Sequence, residues 1–255
     1  MPLVFRDAVE LDRLSAQVSW ARAGMETELW INNVAFSNAH LEGSVSGIYR
    51  TEGKTSGSID LTGRLTRAEA RFVSRYIPLT IAKSTRDWLD AALLAGRSNN
   101  VTLRFKGKLD EYPFPNGRGG VFQVTARIAD GALHFAEGWP DITNIAGDLV
   151  FRGNSMDLNA WQGSILGAQL AKVRVDIPDM SPDTAVLNVS GEAEGPTAEF
   201  FAFIEKSPVS GMIDDFTRGW QAQGAGRLSL KLSLPLSGPA KPTICLLYTS
   251  DAADE

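Results

Sequence analysis

Residues 130–177 read DGALHFAEGWPDITNIAGDLVFRGNSMDLNAWQGSILGAQLAKVRVDI, and the fold follows from how this stretch is spaced. Leu149 and Phe151 flank Val150, and Met156, Leu158 and Ala160 alternate with Asp157 and Asn159. Val173, Val175 and Ile177 alternate with Lys172, Arg174 and Asp176. Side chains on a strand point to opposite faces in turn, so this spacing sets an oily face against a wet one. Gly147, Gly153, Gly163 and Gly167 recur at about the interval of an antiparallel meander.

Working outward, Val101, Leu103, Phe105 and Leu109 alternate with Thr102, Arg104, Lys106 and Lys108. Leu228, Leu230, Leu232, Leu234 and Leu236 stand against Arg227, Ser229, Lys231 and Ser233. Strands are also expected over Val9–Trp20, Leu29–Phe36, Glu42–Tyr49, Ser56–Leu65 and Val186–Ala193, with a turn at Glu52-Gly53-Lys54. Val121–Ile128 and Ala132–Ala136 read as a hairpin around Asp130-Gly131. Tyr112-Pro113-Phe114-Pro115 interrupts the ladder, because proline donates no backbone hydrogen bond.

Helical signals are few. Thr66 and Glu69 form a capping box ahead of Phe72, Val73 and Tyr76, and Pro78 ends that segment. A second helix starts at Ser84 or Thr85, carries Trp88, Leu89, Ala92 and Leu93, and stops at Gly96. Pro196 suits the first position of a helix with Phe200, Phe201 and Ile204 inward, closed by Ser207-Pro208. The expected fold is therefore mainly β (a β-rich α+β chain). It is a long curled antiparallel sheet, with about three short helices at its ends or mouth. In order, strands run over 9–65, a helical insert over 66–96, strands over 100–193, a short helix over 196–206 and a strand over 226–236.

Composition narrows the function. The chain has 255 residues, is 44% hydrophobic and 22% charged, and carries a net charge of −5. That is ordinary for a folded domain and leaves no basic footprint for nucleic acid. No apolar run approaches the ~18 residues of a spanning helix, and Met1–Glu10 lacks the form of a signal peptide. The last eleven residues, CLLYTSDAADE at 245–255, resemble a translated sequencing adapter rather than natural protein. Setting them aside removes the only Cys, moves the net charge from −5 to −2, and leaves 1–244 as an internal piece of a longer protein.

No catalytic constellation, cofactor site or metal site stands out, and the expectation is a protein that is not an enzyme. Gly53-Lys54-Thr55 lacks the earlier glycine of a phosphate loop, since that place is Ile48. Gly43–Gly47 has Val45 where a nucleophile would stand. His40 and His134 are the two histidines, too few for a usual zinc site. Asp110-Glu111 and Asp214-Asp215 read as solvated turns, Gly117–Gly120 as a hairpin loop, and Trp139 as a rim or core aromatic.

The sheet also poses a covering problem. Twelve strands of about nine residues give an apolar face on the order of 1,700 Å². Three helices of about eleven residues cover roughly 500 Å² of it. Either the sheet folds back on itself or it holds something apolar; spacing alone leaves both open. On the second view the candidate lining is Val101, Leu103, Phe105, Leu109, Leu149, Phe151, Met156, Leu158, Val173, Val175, Ile177, Leu228, Leu230, Leu232 and Leu234.

Leu61–Gly63, Tyr76-Ile77-Pro78, Trp88-Leu89, Lys106–Leu109 with Tyr112–Phe114, Gly138–Ile142, and Phe203-Ile204 with Ser207–Val209 follow one another in a familiar order. In this the chain resembles YhdP-type proteins, large AsmA-like proteins of Gram-negative bacteria related to TamB. The resemblance covers roughly Val9–Gly238. It implies an inner-membrane-anchored periplasmic protein whose β groove conducts phospholipids to the outer membrane, with acyl chains as partners and the anchor helix outside this piece. Other envelope proteins are further possible partners. The alternative is an envelope scaffold with a closed β core and no lipid. A carbohydrate-active enzyme using Trp20, Trp30, Trp139 and Trp161 would need two facing carboxylates that the sequence does not show.

Overall fold

The computed structural model describes residues 4–51, 53, 55–181, 183–212, 224–236 and 243–250. Strands β1 (Arg13–Ala23), β2 (Glu26–Ser37), β3 (Leu41–Arg50) and β4 (Ser58–Glu69) form a meander. A 3-10 helix (Ala70–Tyr76) and α1 (Lys83–Ala92) follow, before β5 (Leu93–Ser98) and β6 (Val101–Lys108) rejoin the sheet. The meander resumes with β7 (Gly120–Leu133), β8 (Ile142–Arg152), β9 (Ser155–Ile165), β10 (Ala168–Ile177) and β11 (Val186–Pro196). Helices α2 (Thr197–Glu205) and α3 (Val209–Met212) precede β12 (Ala225–Pro235) and β13 (Thr243–Ser250).

All of these strands belong to one 13-stranded sheet in which neighbours in sequence are almost always neighbours in space. Every pairing is antiparallel. β5 and β6 share the place between β4 and β7: β6 pairs with the length of both, while β5 pairs with their ends, Ala68–Glu69 and Ala129–Leu133. The α-helices and the 3-10 helix Ala70–Tyr76 all sit at the end of the strands where β2 turns to β3, β7 to β8 and β9 to β10. Register slips at Ile31/Val34, Ile128/Gly131, Thr143/Ala146 and Ala171/Arg174 mark bulges, which bend a strand and increase its twist.

Several expectations need correction. Thr66 and Glu69 do not cap a helix, because β4 runs on through them, with Arg67 opposite Glu42 and Ala68 opposite both Leu41 and Ser98. The turn after it is a 3-10 helix, and Ile77 before Pro78 is extended. α1 ends at Ala92 with Leu93 as its cap, so Gly96 lies in β5 and stops no helix. Asp130-Gly131 is no hairpin: β7 continues to Leu133, with Ile128 opposite Gly147 and Gly131 opposite Ile145. Asp130 takes the left-handed φ of 52° that a tight turn would need, but spends it on a bulge. Leu109 starts a short 3-10 turn beyond β6, and Pro196 is the cap before α2. Glu52, Lys54 and Asp214-Asp215 lie outside the described residues.

The core is slight. Among the described residues, the buried apolar side chains larger than Ala are Phe114, Phe200 and Val209. A compact monomer of this mass exposes about 11,000 Å², whereas the chain, at 27.6 kDa, exposes 16108 Å². One sheet with little stacked on it has that signature.

Candidate functional site

Strand registers turn alternation into surfaces. Leu14, Phe36, Gly43, Leu65, Val101, Ala126, Leu149, Leu158, Val175, Val189 and Leu232 are successive cross-strand partners. This apolar row crosses eleven strands, about 48 Å at ~4.8 Å per step. A parallel row runs Ala16, Val34, Val45, Gly63, Leu103, Val124, Phe151, Met156, Ile177. Neither row contains a charged or hydrogen-bonding side chain.

One residue along, the pattern inverts. Ser15, Ala35, Ser44, Arg64, Thr102, Thr125, Val150, Asp157, Asp176, Asn188 and Ser233 form the adjacent row on the opposite face. That face is laced with ion pairs: Arg104 with Asp60, Arg127 with Asp148 at 2.8 Å, Arg174 with Asp157 at 3.2 Å, Lys172 with Glu192 at 3.0 Å. The guanidinium of Arg104, hydrogen-bonded to Asp60, holds that carboxyl below the usual carboxylate range, and Arg127 does the same for Asp148. The guanidinium of Arg127 also lies 5.7 Å from the ring centre of the exposed Trp161. Exposed pairs like these add little stability and chiefly keep this face in water.

The apolar face is covered at two places. Between β6 and β7, Phe114 is 2% exposed and packs edge-on to Phe105, while Tyr112 packs on Phe105 and Phe122. Burial pushes the Tyr112 phenol up. Gly107 and Gly120 leave room for the ring: a Cβ on either would stand 2.7 or 2.6 Å from Phe114. At the other end of the strands, Phe200 of α2 is buried on Ala168 and Ala193, beside Ile165, Leu170 and Leu228. Along that end, Trp88 Nε1 donates to the Phe135 carbonyl, and Trp139 packs at a tilt against both Phe135 and Phe203.

Of the fifteen candidate lining residues, fourteen fall on strands of this one face, all half-buried; Leu109 lies off the sheet. Phe105 and Leu228 are already in contact with the protein's own covers. The sequence reading missed Val124, Ala126 and Val189, which the alternation of β7 and β11 would have supplied. It missed the Phe114 cover as well, for which the glycines at 107 and 120 were the available sign.

A family model described as "YhdP protein" matches residues 1–244. The chain belongs to the YhdP family. It is 21% identical over 236 residues to the intermembrane phospholipid transporter YhdP of Escherichia coli (strain K12). That alignment covers 92% of this chain and 18% of the transporter, so the chain spans less than a fifth of the length of its curated relative. No solved structure matches. Among the described residues no helix is long and apolar enough to cross a membrane, and no group of three or more His, Cys, Asp or Glu is placed to hold a metal ion.

Proposed function

We propose that this chain is one segment of a periplasm-spanning lipid conduit, whose apolar face forms a groove shielding phospholipid acyl chains during transport from inner to outer membrane. The observation that carries the reading is the uncharged row from Leu14 to Leu232, unbroken over eleven strands. Each methylene withheld from water is worth about 0.8 kcal/mol, so an acyl tail costs on the order of 10 kcal/mol to expose. A path for such tails needs a continuous aliphatic lining and no closely shaped pocket. The relative's name, intermembrane phospholipid transporter, supports the choice of ligand. In the full-length protein an anchor helix outside this piece holds the conduit to the inner membrane, and residues 245–255 are foreign to it.

A closed-core scaffold would bury large aliphatic side chains throughout, and the described residues bury few. The test is to purify the folded chain from a bacterial envelope and quantify phospholipid by mass spectrometry. Bound phospholipid is expected at one or more molecules per chain. A folded, lipid-free chain that also takes up none from vesicles would contradict the reading.

A further inference from the structure

We propose that Phe114 and Phe200 are side walls that confine acyl chains to the three rows running between them. The inference rests on the lipid reading above and adds which positions touch lipid. Phe114 and Tyr112 lie over the row through Leu61, Phe105 and Phe122, at the end of the strands where β6 turns to β7. Phe200 lies over the row through Leu170, Ala193 and Leu228, at the opposite end. Three rows pass between them, through Phe151, through Leu149, and through Gly147, Ala160 and Val173.

Both walls are seated on positions with little or no side chain. Phe114 rests on Gly107 and Gly120, where any Cβ would strike its ring, and Phe200 rests on Ala168 and Ala193. A ring set into a glycine seat is held close to the sheet, so it closes its own row and stops there. Neighbouring rows lie two residues apart, ~6.6 Å, so the track between the walls is about three side chains wide. Its occupant is the paired tails of a diacyl phospholipid: all three rows carry only Gly, Ala, Val, Leu, Ile, Met and Phe, which offer nothing to a charged headgroup.

The test places the photoreactive residue p-benzoylphenylalanine at Leu149, Leu158, Phe122 or Leu228 of the whole chain. Each variant, checked by circular dichroism, is illuminated with vesicles of phosphatidylethanolamine and phosphatidylglycerol. Positions 149 and 158 are expected to give about tenfold more lipid adduct than 122 and 228, equivalent to ~1.4 kcal/mol. In a second arm, Phe114→Ala should raise the adduct at 122 and leave that at 158 unchanged. Equal adducts at all four positions, or an adduct at 122 that ignores Phe114→Ala, would overturn the walls while leaving lipid binding intact. Adducts at none of the four would overturn the lipid reading and the walls with it.

Discussion

Replacing Leu149 with Asp separates an open apolar face from a closed core. Leu149 is half-buried at the middle of the longest row, opposite Ala126 on one side and Leu158 on the other. A cross-strand pair contributes roughly 0.2–1 kcal/mol, so losing two costs about 0.5–2 kcal/mol if water can reach the new carboxylate. For a domain of this size each kcal/mol moves the melting temperature by about 2–4 °C, which gives a fall of a few degrees. In a closed core the same carboxylate would be buried without a partner, at several kcal/mol, and the cooperative transition would be lost or moved far down. The assay joins thermal unfolding by circular dichroism with mass-spectrometric counting of co-purified phospholipid. A folded variant, slightly less stable and depleted of lipid, is the expected outcome. Global unfolding, or lipid retained at the wild-type level, would refute the reasoning.

Phe114→Ala should destabilise by about 3–5 kcal/mol in chemical denaturation, because the ring is fully enclosed by the sheet and its aromatic neighbours. Gly120→Ala should cost about 1–3 kcal/mol through overpacking against the Lys106 carbonyl and that ring, while Gly211→Ala, where nothing lies within 4 Å, should be near neutral or stabilising. The carboxyls of Asp60 and Asp148 are lowered on folding, so the stability they supply is complete above the ordinary carboxylate range and is lost as pH falls through the lowered values. Melting temperatures should therefore decline below about pH 4, and less steeply in Asp60→Asn/Asp148→Asn. A chain ending at Ile244 should keep its bound phospholipid, measured per folded molecule, if residues 245–255 take no part in function.

Most of the sheet was legible because each strand alternates strictly, and β2, β3, β6, β10 and β12 fall within a few residues of where that pattern puts them. The misses share a cause: a local signal was real but tertiary pairing used it differently. Thr66-x-x-Glu69 is a sound capping box, yet Arg67 and Ala68 find partners on β3 and so stay extended. Asp130-Gly131 has turn chemistry, and its left-handed conformation appears as a bulge because β8 pairs on both sides of it. β13 was not anticipated; its residues prolong an edge that β12 offers, and pairing along an open edge asks little of sequence beyond β propensity. The face itself was predicted from alternation, but which rows stay uncovered depends on where Phe114 and Phe200 land, a long-range matter that spacing does not encode.

The most direct measurement uses methyl-labelled protein and a phospholipid spin-labelled in its acyl chain, read by nuclear magnetic resonance line broadening. Leu149, Leu158, Val175 and Val189 lie on the uncharged row, while Val150, next in the chain to Leu149, points to the ion-paired face. The account predicts strong broadening of the four row methyls with Val150 left sharp. Equal broadening on both faces, or none on the row with lipid present, would contradict it.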